Sequence, residues 1–155
     1  MRFDVDAMMR LWSEPLPDSD EEAAAAFREL YTDPVVVNGT ELGVADLVAR
    51  ARAVRRTFDR RDNEVLDVVQ DGDKVAVAFR MSGQQVGALA TTLGPLPPSG
   101  RRIELRVIDV LTLTGGRVSK IWMVADELGA LVAADAVAWK DPGDRTVPGP
   151  EEGTP

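Results

Sequence analysis

The sequence predicts an α+β fold in which N-terminal helices pack against one face of a curved, mainly antiparallel sheet, giving a conical barrel. Apolar residues recur at helical spacing through the first third of the chain, and the pattern turns to β-branched alternation after Arg61. Two glycine turns, Asp71-Gly72-Asp73 and Gly115-Gly116, then join the longest alternating runs and predict antiparallel pairing.

The elements follow in order. Residues 4–12 place Val5, Met8, Met9 and Trp12 on one side of a short helix that Pro15 and Pro17 end. Asp18-Ser19-Asp20-Glu21-Glu22 supplies a cap and an acidic first turn, so residues 20–31 read as a second helix with Ala23, Phe27 and Leu30 inward. Pro34-Val35-Val36-Val37 is a short strand turned by Asn38-Gly39. Val44, Leu47, Val48, Ala51, Val54 and Phe58 form one stripe of a long helix over 44–58. Strands are expected near 63–70, 74–84, 102–114 and 117–125, and a closing amphipathic helix over 127–138. The domain is expected to span 4–138, and residues 139–155, rich in Pro, Gly and charge, to form a disordered tail.

Composition excludes several kinds of chemistry. The chain of 155 residues has no Cys and no His. A thiolate nucleophile, a Ser-His-Asp triad and Cys- or His-ligated metal sites are therefore excluded. Chemistry falls to carboxylates, amides, hydroxyls, Lys or Arg. A formal net charge of -8 repels phosphate backbones and anionic lipid, so nucleic acid is not an expected partner. No apolar run approaches the roughly 18 residues of a membrane span, so no membrane partner is expected either, and a cytoplasmic location is. The glycines from Gly94 to Gly100 lack the Lys-Ser or Lys-Thr and the strand-to-helix setting of a phosphate loop.

Two carboxylates stand out. Alternation puts Asp126 at the end of the ladder Lys120, Trp122, Val124, where it either caps the closing helix or sits against an apolar hollow that lifts its pKa; the two roles are compatible. Asp109 shares a face with Ile103, Leu105, Val107 and Leu111, and is either paired with Arg80, Arg102 or Arg106 or held unpaired at a site. Asn38 is a turn residue or an amide donor to a carbonyl oxygen, and Gln84 and Gln85 end a strand where a neutral amide can orient a ligand. Trp12, Trp122, Phe58, Phe79 and Met81 are core residues of which a subset can line a cavity. Arg50, Arg52, Arg55, Arg56, Arg60 and Arg61 read mostly as a solvated face of the long helix.

From Ala53 onward the chain resembles the SnoaL-like polyketide cyclases of the nuclear transport factor 2-like, cystatin-like superfamily. The ordered pieces are Arg56-Thr57-Phe58, Asp71-Gly72-Asp73-Lys74-Val75, Ser82-Gly83 with Gly87, Pro97-Pro98-Ser99-Gly100-Arg101, and Gly116-Arg117-Val118 leading to Trp122 and Asp126. The resemblance implies a homodimer formed through the outer sheet and an apolar pocket for a small polyketide-like substrate. It also implies ring closure by intramolecular aldol condensation without metal or cofactor. Asp126 occupies the place of the family's acid–base residue, and Asn38 that of a pocket polar residue. The site so implied comprises Asp126 and Asp109 as acid–base groups, with Asn38, Phe58, Met81, Gln85 and Trp122 around the substrate. Gln85 replaces a pocket His, Lys120-Ile121-Trp122 replaces Glu-His-Trp, and the stretch between Gly87 and Pro97 is lengthened at the pocket mouth. Epoxide opening by Asp109 with Asp126, and non-catalytic ligand binding or dimerisation, are the other roles open to this fold.

Overall fold

A computed structural model describes residues 1–141 and 143. Of the expected tail, residues 142 and 144–155 lie outside the described residues. The chain folds as α1 (Val5–Ser13), α2 (Asp20–Leu30), β1 (Tyr31–Val37), β2 (Thr40–Leu42), α3 (Val44–Thr57), β3 (Phe58–Asp71), β4 (Lys74–Gln85), β5 (Leu89–Thr91), β6 (Gly94–Leu96), β7 (Arg102–Thr114), β8 (Arg117–Ala125) and α4 (Glu127–Ala133).

Side chains start the helices. The Asp4 carboxylate accepts the Ala7 N–H, and Ser19 Oγ accepts that of Glu22. The start of α3 draws on two carboxylates, Asp46 accepting from Gly43 and Asp33 from Val44. That second bond, with the Arg28 ion pair behind it, holds the Asp33 carboxyl below its ordinary range. Orphan amides at helix N-termini need such acceptors, and each cap also fixes where a chain segment enters its helix.

Six strands form one sheet in the order β2-β1-β8-β7-β4-β3, and β5 and β6 form a separate hairpin. All pairs are antiparallel except β1 with β8. The glycine turns join β3 to β4 and β7 to β8 as expected, and β7 and β8 keep the predicted bounds. Three short elements, β2, β5 and β6, were not expected. The closing helix ends at Ala133 rather than 138, and β3 begins at Phe58, directly after α3, rather than at 63.

Residue parity divides the sheet into two faces. One face carries Val75, Val77, Leu111, Leu113, Val118 and Ile121, all buried against Phe27, Tyr31, Leu47, Val48 and Ala51 from the helical side and β1. A smaller cluster of Phe58, Ile103 and Ala134 closes the far end, with Met81, Leu89 and Leu96 packed on it. The opposite face is solvent-facing and, among its charged residues, carries an apolar patch of Ile108, Val110, Trp122 and Val124, all exposed. Among the described residues no helix is long and apolar enough to cross a membrane.

Candidate functional site

Asp109 lies in the middle of β7, between Val77 of β4 and Met123 of β8, on the face the helices cover. It is only 8% exposed, and its Oδ1 is buried with no hydrogen-bond partner among the described residues. Burial therefore pushes its carboxyl up to about 7, because the charged form loses water and gains no donor in return. The expected ion pair with an arginine does not form. Parity puts Arg80, Arg102 and Arg106 on the other face, where Arg80 meets Glu64 and Glu104, Arg102 donates to Ser82, and Arg106 meets Asp126.

Tyr31 stands near Asp109. Its hydroxyl accepts the Trp12 indole N–H at 2.7 Å. Burial raises the Tyr31 phenol, and the negative charge of Asp109 raises it further, so this hydroxyl keeps its proton. On the opposite side Met123, the cross-strand neighbour of Asp109, is 38% exposed, so the carboxyl is one side chain from solvent. A buried acid of near-neutral pKa beside a protonated phenol is suited to moving protons to and from a bound carbon or oxygen.

Asp126 is placed differently from the expectation of a raised pKa. Its Oδ1 accepts the Gly129 N–H at 3.0 Å as the N-cap of α4, and its Oδ2 accepts from Arg106 at 3.1 Å. The backbone bond first, and the guanidinium second, lower its pKa. The two carboxylates lie on opposite faces of the sheet: Arg106, which holds Asp126, projects from the face of β7 opposite Asp109.

The expected substrate-contacting residues also separate. Trp122 is half exposed on the outer face, opposite Val110, with Lys120 Nζ 5.0 Å from its ring centroid. The alternation of β8 is as expected, but the face turned to the helices is that of Ile121, which is buried, and Met123, which is partly exposed, so Trp122 and Val124 point away from the core. Phe58 and Met81 belong to the smaller core cluster. Gln85 is fully buried and fully used: its Nε2 donates to the carbonyls of Gly87, Leu96 and Pro97, and its Oε1 accepts from Ser99. It clamps the stem of the β5–β6 hairpin, which the stretch after Gly87 forms. Asn38, at φ 49°, extends β1 beyond its last strand residue, and its Oδ1 accepts the Met123 N–H at 2.8 Å. That pins the carboxamide by its oxygen at the rim beside the neighbour of Asp109.

Arg61 was assigned to the solvated arginine face and is elsewhere. Because α3 runs into β3 without a loop, Arg61 lies on the strand, and its Nη2 donates to the carbonyls of Trp12 and Ser13 at 3.0 and 2.6 Å. Its Nη1 and Asn63 Oδ1 are buried without partners among the described residues, as is Asp109 Oδ1. Tyr31 is not singled out by the sequence, and Trp12 reads there only as a core residue, because nothing local marks a strand residue as facing a particular helix.

The described residues form an open sheet covered by helices on one face, with a buried acid on that face. The chain belongs to the SnoaL-like polyketide cyclase family, which it matches over residues 6–133. No match is found among curated proteins. Among solved structures, TsrD from Streptomyces laurentii superposes with a TM-score of 0.68 at 25% identity, over 88% of this chain and 100% of that one. A SnoaL-like polyketide cyclase from Agrobacterium tumefaciens str. C58 gives 0.64 at 16% identity, over 83% of this chain and 95% of that one. A candidate SnoaL-like polyketide cyclase from Jannaschia sp. CCS1 gives 0.62 at 24% identity, over 86% and 92%. The nuclear transport factor 2-like fold expected from the sequence is thus the observed one.

Proposed function

We propose that this chain is a cofactor-independent cyclase that closes a ring in a small polyketide-like substrate by acid–base catalysis, with Asp109 as the group that moves the proton. The observation that carries this reading is the Asp109 carboxyl, buried, unpaired at Oδ1 and poised near neutrality. Ionised, Asp109 takes the proton from a carbon flanked by two carbonyls, which delocalise the resulting enolate. That carbon then attacks a second carbonyl of the same folded chain, forming a carbon–carbon bond and an alkoxide. Protonated Asp109 returns its proton to the alkoxide, so the product is an isomer of the substrate. Tyr31 donates its hydroxyl hydrogen towards the developing oxyanion while Trp12 fixes its orientation, and Asn38, pinned through Oδ1, offers its NH2 at the rim.

In this reading Asp126 builds α4 and positions the closing strand. The epoxide-opening alternative relied on two carboxylates acting on one substrate, and the geometry around Arg106 lends that no support. The outer face supports a homodimer: Trp122 and Val110 pair in one register row, and Ile108 and Val124 in the next, leaving an apolar patch of the kind that association covers.

The test is to incubate the protein with a panel of aryl β-ketoesters carrying an internal ketone and to follow retention time and mass. Ring closure changes retention and leaves mass unchanged. Asp109→Asn is expected to abolish it and Asp126→Asn to retain it; the reverse order would transfer the acid–base role to Asp126.

A further inference from the structure

The covered face of the sheet is not evenly buried. Toward one end it carries Leu111 and Val75 of the larger core cluster, and toward the other Ile103 and Phe58 of the smaller one. Val107 and Leu105 of β7 belong to neither cluster. Leu105, Met81 and Asn63 are cross-strand neighbours in one row between those ends, and all three are half-buried. Ala125, the neighbour of Val107, is half-buried too, and Met123, the neighbour of Asp109, is exposed. A band that the helices leave partly open thus crosses the sheet between two closed ends, with Asp109 on one margin and Asn63 on the other.

Asn63 Oδ1 is buried with no hydrogen-bond partner among the described residues. Arg61, two residues earlier on the same face, is fastened through Nη2 to the end of α1, and its Nη1 does not donate to Asn63. Val65, two residues later, packs on the larger cluster. Met81 and Leu105, the neighbours across the strands, carry no side-chain donor, so the amide oxygen is left for a group that the chain does not supply. An unpaired buried acceptor costs free energy, and a bound hydroxyl recovers it.

Asn63 is two strands away from β7 and, through the row of Leu105, four residues along it from Asp109. At about 4.8 Å per strand and about 3.3 Å per residue, the two positions are roughly 16 Å apart. Two hydrogen bonds of about 2.8 Å leave roughly 10 Å between them, the length of a bicyclic ring with one aryl substituent. We infer that Asn63 is a substrate-binding residue of the Asp109 site, taking a hydroxyl at the end of an elongated, ring-bearing substrate remote from the carbons that react. Phe79, Met81 and Leu105 form the apolar floor under the body of that substrate. The inference rests on the acid–base reading of Asp109 for which end reacts, whereas the hydroxyl contact itself needs no reaction.

Calorimetric titration of the full chain with 4′-hydroxyflavone and with flavone, which differ by that one hydroxyl and undergo no ring closure, tests it. The hydroxyl form is expected to bind about fivefold tighter or more, the net worth of one buried hydrogen bond. Asn63→Leu is expected to lose that preference, to bind flavone at least as well as the wild type, and to keep its Tm, since no hydrogen bond of the fold is removed. Leu105→Trp, which fills the band, is expected to weaken both probes alike. Equal affinity of the wild type for the two probes, no binding of either, or a preference that survives Asn63→Leu would overturn the inference. So would a fall in the Tm of Asn63→Leu, which assigns the amide to the frame, or unchanged binding in Leu105→Trp. Failure of the acid–base reading shows elsewhere, as ring closure that persists in Asp109→Asn while the hydroxyl preference stands.

Discussion

Polar side chains at the ends of the strands and polar side chains in the middle of the sheet are used in opposite ways. At the strand ends, Asn38, Gln85 and Asp126 each accept from or donate to backbone groups that the sheet itself leaves over. On the covered face, Asp109, Arg61 and Asn63 each keep a buried atom without a partner among the described residues. Satisfied groups stabilise the fold, whereas buried orphans cost free energy that the packing around them must offset. Of the polar residues the sequence singles out, Asn38, Gln85 and Asp126 hold the frame, while Asp109 is left buried with an unsatisfied oxygen among the described residues.

The largest effect is expected at Asp109. Asp109→Asn should lower ring-closing turnover by about 10²- to 10⁴-fold, the usual worth of a positioned acid–base group, without lowering Tm. A variant that lost Tm and kept turnover would assign Asp109 to the frame.

The second effect is on stability against pH. Asp109 titrates at about 7 in the folded protein, against roughly 3.9 in an unfolded chain. As pH rises, the unfolded chain gives up this proton first, so the stability fully present below about pH 4 is lost as pH rises through about 7, by on the order of 4 kcal/mol. Chemical denaturation at a series of pH values should show this decline in the wild type and its absence in Asp109→Asn. Asp33 and Asp126 act in the opposite sense, because their carboxyls are lowered: their contribution is present above about pH 4 and lost on acidification.

Gln85→Ala comes next. It strands three carbonyls and the Ser99 hydroxyl, and should cost about 1–3 kcal/mol in urea denaturation. The pH dependence of turnover in the protein that remains folded should be unchanged. The smallest effect is expected of Asp126→Ala, which removes the cap of α4 and the partner of Arg106. A modest fall in Tm with an unaltered pH–rate profile keeps Asp126 with the frame, and loss of the acidic limb of that profile moves it to the site.

Much of the frame could be read directly, because its signals are local. β7 and β8 were bounded correctly, since alternation and Gly115-Gly116 mark both their faces and their ends. Alternation does not say which face the helices cover. On β8 both faces are apolar, so Trp122 passed for a pocket residue although Ile121 and Met123 occupy that side. Arg61 was misplaced for a related reason: no glycine or proline separates Thr57 from Phe58, so the helical stripe read on into a strand. The role of Gln85 depends on Leu96, Pro97 and Ser99, whose approach only the folded chain creates. Asp109 was recognised as a charged residue in an apolar ladder, but its lack of a partner depended on knowing where the arginines point.

The hairpin of β5 and β6 is fastened to the barrel at its base. Gln85 grips it from below, the Thr57 carbonyl accepts the N–H groups of Val86 and Gly87, and the Thr57 hydroxyl reaches Ala88. Gly87 is obligatory there, since a Cβ on it would come within 2.4 Å of the Arg56 carbonyl oxygen. At the tip, Thr92 donates from its N–H and its hydroxyl to Glu127 of α4, so the hairpin is held at both ends while it stays apart from the ladder of the main sheet. Between those two anchorages the segment can vary in sequence without altering the strand pairing of the main sheet.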